Sequence, residues 1–179
     1  MPDEKIEFLI AHGAGDKSHS NAELLSHLTG TRDLLASWGA RPEVCDAGLF
    51  HSVYGTEAFE STLALQQRDR VASLIGQEAE VLAYLFCGMI KPTFLLNLDR
   101  TDRLYFCDRF TGKWIFPEHR QFADLCDIFA ANWLEQRPRF PAEFQNADRA
   151  HFEKMLAWLL PKAREAICDA YGLRCQLQG

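Results

Sequence analysis

The stretch Ala47-Gly48-Leu49-Phe50-His51-Ser52-Val53-Tyr54-Gly55-Thr56-Glu57 decides how this chain is read. Pro42 suits a first helical position, and Val44, Ala47, Gly48 and His51 then share one face, with Leu49 and Phe50 beside it. The pattern predicts a helix from Pro42 to about Ser52. Gly55 permits a sharp exit into a polar segment. His51 thus projects from the end of a largely buried helix, a place suited to a ligand or a catalytic base.

Working outward, the same helical period recurs on both sides. Glu4 to Ala11 reads as a short helix, followed by a loop from His12 to His19 that lacks the Gly-Lys-Ser/Thr ending of a phosphate loop. Ser20 to Glu23 fits a capping box. Leu24, Leu28, Thr31, Leu35 and Trp38 then carry an apolar stripe to the stop at Gly39, with His27 beside the stripe. Between Thr56 and Leu65 a loop or short helix is expected. Helices follow over 68–75 and 77–86, joined at Gly76; such brief glycine joints favour a helical bundle.

Phe94 to Leu98 is ambiguous between strand and helix. Residues 103–116 read as a β-hairpin around Arg109-Phe110-Thr111-Gly112, an appendage that could cover a pocket or mediate a homodimer. Pro117 opens a helix to Gln136, with Phe122, Leu125, Cys126, Phe129, Trp133 and Leu134 on its apolar face and Asp127 near it. Two further helices span about 148–160 and 161–171, and the tail from Gly172 is expected to fray. The fold class is therefore mainly α, one helical domain over residues 1–179 with a small β-hairpin insertion.

The totals narrow the function. A length of 179 residues suits one domain with a substantial core. The net charge of −6 argues against nucleic acid or an anionic membrane as partner. No apolar run reaches transmembrane length and no secretory signal is visible, which points to a cytoplasmic protein. None of the six cysteines forms a Cys-x-x-Cys pair, and they read as reduced, core-filling thiols. Ser52 adjoins His51 without a Gly-x-Ser-x-Gly elbow, so a serine hydrolase is disfavoured. The charges from Asp99 to Arg103 and at Asp108-Arg109 read as a solvated, salt-bridged surface.

Three side chains on different helices then stand out: His27, His51 and Asp127. A buried carboxylate is costly unless paired or metal-bound, and a neutral imidazole is a metal ligand. A histidine on an apolar face is more often a hydrogen-bonded core residue, so spacing alone does not make this trio a site. Two histidines and a carboxylate match the set used by mononuclear iron oxygenases, and zinc or manganese could use it too.

His27-Leu28-x-Gly30-x-x-x-Leu34-Leu35-x-x-x-Gly39, then Val44-x-x-Ala47-Gly48-Leu49-Phe50-His51, resembles the HD-domain metal-dependent phosphohydrolase superfamily, nearest to its stringent-response (ppGpp) hydrolase branch. The resemblance covers roughly residues 6–136. It implies an HD-like bundle, His27 and His51 as first and second metal histidines, and Asp127 of Leu125-Cys126-Asp127 as the last ligand, with Asn132 displaced by one position from the family's asparagine. Ser52 replaces the family's aspartate, and Gly55 and Thr56 replace its acidic pair, with Glu57 out of register. Fewer acidic groups would weaken a hard cation and remove the usual general base.

The resemblance implies a divalent ion (manganese, iron or zinc), Ser52 as a hydroxyl beside the ligands, Tyr54 and Thr56 at the mouth, and Lys17 facing an anionic group on a small-molecule substrate. His12 or His19 could add a fourth ligand, although surface positions are the simpler reading of both. Hydrolysis of a small phosphorylated or nucleotide-like molecule is the leading expectation. A mononuclear iron oxygenase and a non-catalytic small-molecule binding or interaction module are the alternatives.

Overall fold

The computed structural model describes residues 3–14, 19–57, 60–100 and 102–175. It is mainly helical with a small antiparallel hairpin. In chain order the elements are α1 (Glu4–Leu9), α2 (His19–Ser37), α3 (Pro42–Leu49), α4 (Arg68–Ile75), α5 (Gln77–Gly88), α6 (Lys91–Leu95), β1 (Phe106–Cys107), β2 (Trp114–Ile115), α7 (His119–Gln136), α8 (Arg149–Met155) and α9 (Pro161–Tyr171).

The helices begin and end where local chemistry dictates. Pro42 opens α3 and Pro161 opens α9, each where a missing N–H costs nothing. Glu118 and Gln121 form a reciprocal capping box at the start of α7. Gly76 sits at φ +88° between α4 and α5, a conformation that a β-carbon would strain. Of the ambiguous stretch Phe94 to Leu98, Phe94 and Leu95 end the short helix that Pro92 opens and the rest turns, with Asn97 bonding back to the Phe94 carbonyl. Helix α3 ends at Leu49, earlier than the apolar pattern suggests, so His51 lies in the turn that follows.

Helices α2, α3, α5 and α7 carry the centre of the bundle. Leu28, Leu35, Val44, Ala47, Leu82, Ala83, Leu125, Ile128 and Phe129 belong to one continuous buried cluster. Phe94 joins this cluster to the hairpin through Phe106 and to α7 through Phe122. The hairpin pairs Phe106 with Ile115 and Cys107 with Trp114, and its base is tied to the end of α5 by a bridge between Met89 and Asp108. Trp114 and Phe116 remain exposed. Among the described residues, no helix is long and apolar enough to cross a membrane.

Two polar groups inside the fold have structural partners. Glu80 is buried on α5, accepts from Tyr54 Oη at 2.9 Å and forms a two-pronged pair with Arg68 at 2.6 and 2.7 Å. Asp127, buried on α7, accepts from the Leu160 amide at 3.0 Å and so caps the start of α9. One expectation about the cysteines is corrected. Cys168 and Cys175 form a disulfide, their Cα atoms 5.9 Å apart, because Gly172 turns the chain back at the end of α9. Cys45, Cys87, Cys107 and Cys126 are free thiols.

Burial pushes the Asp127 carboxyl up to about 7, against the lowering effect of the Leu160 N–H. The folded chain therefore keeps this proton at pH values where the unfolded chain has lost it, and stability falls as pH rises through the interval from about 4 to 7. Asp127→Asn keeps an acceptor oxygen for Leu160 without the ionisation. Urea denaturation across pH 4 to 8 is expected to show the variant gaining on the native protein, by about 4 kcal/mol at the upper end.

Candidate functional site

Close helix packing builds the site. A β-carbon at Gly48 would lie 2.3 Å from Leu35 Cδ1, so α3 approaches α2 as closely as it does only because residue 48 is glycine. This approach sets the turn after α3 against the first half of α2. Imidazole rings from the two segments meet edge to face there, with centroids 4.9 Å apart for His27 and His51. The Nε2 atoms of His27 and His51 face one another at 3.1 Å.

The opposite edge of each ring is committed. His51 Nδ1 donates to the Gly48 carbonyl at 2.6 Å. His27 Nδ1 donates to the Glu135 carboxylate on α7. Carbonyl and carboxylate oxygens only accept, so each Nδ1 carries a proton and each Nε2 of a neutral ring presents a lone pair. Two lone pairs 3.1 Å apart repel unless a donor or a cation meets them; the Gln136 Nε2 amide, 3.3 Å from His27 Nε2, can donate to one, and a metal cation between the two nitrogens would take both. Burial and the neighbouring His27 push His51 down to about 3, consistent with a neutral ring at that position.

Glu135 is itself held. Arg139, one turn on, grips both of its oxygens. A β-carbon at Gly30 would come within 2.8 Å of Glu135 Cγ, so this glycine clears the path by which the glutamate crosses α2 to reach His27. A histidine backed by a carboxylate is the usual partner arrangement behind a metal ligand or a general base.

The two rings open onto a cavity of about 350 Å³. Leu24, Phe86, Met89, Phe129, Trp133 and Phe140 form apolar walls, and Ser52, Thr56, Asn132 and Gln136 add neutral polar groups. Gln136 Nε2 lies 2.9 Å from Asn132 Oδ1 and 3.3 Å from His27 Nε2, placing both amides beside the imidazole pair. Lys91 and Glu57 also line the cavity. Lys91 Nζ pairs with Asp148 at 3.1 Å and lies 5.0 Å from the Phe129 ring centre, while exposed Glu57 accepts from the Lys91 amide at 2.8 Å.

The structure thus brings together His27, His51, Ser52 and Thr56, but not the whole expected set. Asp127 does not line the cavity; its carboxylate is turned to Leu160, and the expected third ligand is corrected accordingly. Among the described residues, no group of three or more His, Cys, Asp or Glu is arranged to hold a metal ion. Tyr54 is buried against Glu80 and is absent from the histidine cavity, so its expected place at the mouth is also corrected. It lines a neighbouring cavity of about 440 Å³ with Arg109 and Phe110 of the hairpin turn, and Thr56 and Glu57 border both spaces. Lys17 lies outside the described residues. His12 stacks on Phe8 and bonds to the Phe8 carbonyl, away from the pair.

Glu135 and Gln136 were not anticipated from the sequence. Their signal was present: Glu135 and Gln136 lie three and four residues after Asn132, which puts polar groups on one face in the last turns of α7.

Residues 8–91 match the model of a family described as a domain of unknown function (DUF6817). The matched span holds both histidines, Ser52, Thr56 and Glu57, and stops short of α7. No curated protein and no solved structure matches the chain.

Glu135→Ala removes the acceptor of His27, and Gly30→Ala pushes it aside. Imidazole ¹⁵N–¹H correlation spectra are expected to show His27 leaving its single Nδ1–H tautomer in both variants, while His51, held by the Gly48 carbonyl, keeps its own. An unchanged His27 signal in Glu135→Ala would contradict the assigned role of the carboxylate.

Proposed function

We propose that the cavity is the active site of a metal-dependent hydrolase acting on a small molecule with an apolar body. One observation carries the reading. Two imidazoles, each locked at Nδ1 by an acceptor-only partner, converge through Nε2 atoms 3.1 Å apart. Two ligand bonds of about 2 Å span such a separation. His27 and His51 would hold the cation, and the amide oxygens of Asn132 and Gln136, once turned inward, are the nearest additional donors. An ion bound there would supply Lewis acidity and a water of lowered pKa.

The surrounding chain supports this chemistry. Glu135 keeps His27 in the tautomer that offers Nε2, and Gly48 does the same for His51. The apolar walls exclude bulk water and would take the body of a substrate. Ser52 stands where the resembled phosphohydrolases carry their aspartate, so its hydroxyl can orient a water but cannot take up a proton as a carboxylate does. Glu57, at the rim, is the carboxylate that lines the cavity among the described residues and is the candidate to receive a proton from water.

The donor chemistry also separates the alternatives. Imidazole and amide donors suit a borderline ion such as zinc or iron(II) better than magnesium or manganese. An oxygenase of the two-histidine, one-carboxylate kind requires a carboxylate beside the rings, and the position of Asp127 does not favour it. The walls favour an apolar-bodied substrate over a nucleotide, since the cavity's lysine is already paired.

Calorimetric titration of the purified protein with zinc tests the proposal. One ion per chain is expected, with affinity falling at least about 100-fold in His27→Ala and His51→Ala, beyond the effect usual for an outer partner. Asp127→Asn is expected to bind as the native chain does. If His51→Ala binds zinc like the native protein, or the native protein binds none, the metal centre is elsewhere or absent. Hydrolysis of apolar esters and phosphate esters by the zinc form, abolished in His51→Ala, would establish the reaction class.

A further inference from the structure

The last two helices build a cleft that shares no lining residue with the histidine cavity. The chain turns back at Gly172, at the end of α9, and the Leu173 amide donates to the Cys168 carbonyl at 2.9 Å. The Cys168–Cys175 disulfide then ties the returning segment to α9. Leu173 and Arg174, carried by this tied segment, line a cleft of about 670 Å³ together with Arg164 of α9 and side chains of α8 and the turn after it.

Its charges do not balance, in a chain whose net charge is −6. Arg149, Lys154, Arg164 and Arg174 line it with one carboxylate, Glu153. Lys154 is paired with Asp99, which lies outside the cleft. Among the described residues, no carboxylate is within ion-pair distance of the three arginines, Glu153 included. Glu165 and Asp169 of α9 are exposed and do not line the cleft. Arg149 donates to the Tyr171 carbonyl, and Arg164 Nη2 to the Leu159 carbonyl at 3.5 Å. Both acceptors are uncharged; the Tyr171 carbonyl, at the C-terminal end of α9, offers only part of a counter-charge. Arg164 Nε is buried without a hydrogen-bond partner, so this guanidinium is short of acceptors as well as of counter-charge. Three guanidinium groups against one carboxylate leave an excess of two positive charges. Arginine keeps its charge at every pH at which proteins fold, so the excess rests on no titration of a cation.

Planar guanidinium forks match the oxygens of a phosphate. Half-buried Leu156 and Leu173 add apolar surface beside them. The space holds on the order of twenty non-hydrogen atoms, at about 30 Å³ each, which suits a small molecule. From this we infer that the cleft is a second ligand site and takes the phosphate monoester of a small molecule. The dianionic head matches the excess of two charges, Arg149, Arg164 and Arg174 hold its oxygens, and part of its body rests on Leu156 and Leu173. The disulfide keeps the backbone of Arg174 in place before the ligand arrives, which lowers the cost of binding. The site is separate from the proposed metal centre and stands whether or not the histidine pair holds an ion.

Calorimetry on the zinc-free protein with phenyl phosphate, phenyl sulfate and inorganic phosphate tests this. One phenyl phosphate per chain is expected, bound about tenfold tighter than phenyl sulfate, which has the same body and one charge fewer. Inorganic phosphate is expected to bind at least about threefold more weakly, for want of the ring that rests on the leucines. Arg149 and Arg174 are exposed, so Arg149→Gln and Arg174→Gln leave the core intact, and each is expected to weaken phenyl phosphate about tenfold. The double variant is expected to bind zinc as the native protein does. Vesicles of phosphatidylcholine and phosphatidic acid are expected not to bind, because the chain is acidic as a whole. Unchanged phenyl phosphate binding in the double variant would place the ligand elsewhere and overturn the site, as would failure of the native protein to bind it. Equal binding of phenyl sulfate would overturn the charge match, and equal binding of inorganic phosphate the ester body. Binding of the vesicles alone would assign the cleft to a lipid headgroup and overturn the small-molecule ligand.

Discussion

The structure depends on how closely α3 can lie on α2. Gly48 occupies a position where a β-carbon would collide with the Leu35 side chain, so the glycine lets Leu35 and Thr31 of α2 pack directly against the α3 backbone. Everything at the site follows from that contact. The turn after α3 is brought over α2, His51 and His27 are forced edge to face, and the Gly48 carbonyl is left free to take the proton of His51 Nδ1. A one-methyl change would require Leu35 to move within a fully packed core, where overpacking costs about 1–3 kcal/mol.

A second contact of the same kind completes the arrangement from the other side. Gly30 makes room for Glu135, and Arg139 fixes the glutamate against His27. The two rings are therefore oriented independently, one by a backbone carbonyl and one by a carboxylate, and they end with their lone pairs opposed. A purely structural histidine pair would relieve this conflict by rotating one ring. Here both rings are pinned, and the conflict is preserved where it faces a cavity. That combination is what supports the proposed binding centre over two buried histidines that only fill space.

Much of the fold could be read from the chain, because helical periodicity, proline starts and glycine stops are local signals. The bounds of α4 and the start of α5 coincide with the pattern, and Pro42 and Pro161 open helices as expected. His27, His51, Ser52 and Thr56 were also readable as one group, since they cluster in two short stretches that pack on each other. What failed was long-range. Whether Asp127 or Asn132 faces the rings depends on the rotation of α7 about its axis, and residues five apart on a helix point about 140° from one another. Glu135 reaches His27 across more than a hundred residues of sequence, with no local pattern to announce the pairing. Tyr54 appears at the mouth in a linear reading, yet Glu80 and Arg68 draw it into the core. The Cys168–Cys175 disulfide likewise depends on the turn at Gly172, which a spacing rule for metal or redox motifs does not address.

The most direct test of the account is a crystal structure of the protein soaked in zinc, with anomalous diffraction recorded at the zinc edge. A single strong anomalous peak is expected between His27 Nε2 and His51 Nε2, with Glu135 still on His27 Nδ1 and Asp127 still on the Leu160 amide. A zinc-free histidine pair in crystals whose zinc lies on surface side chains, or a peak bound by Asp127, would contradict it.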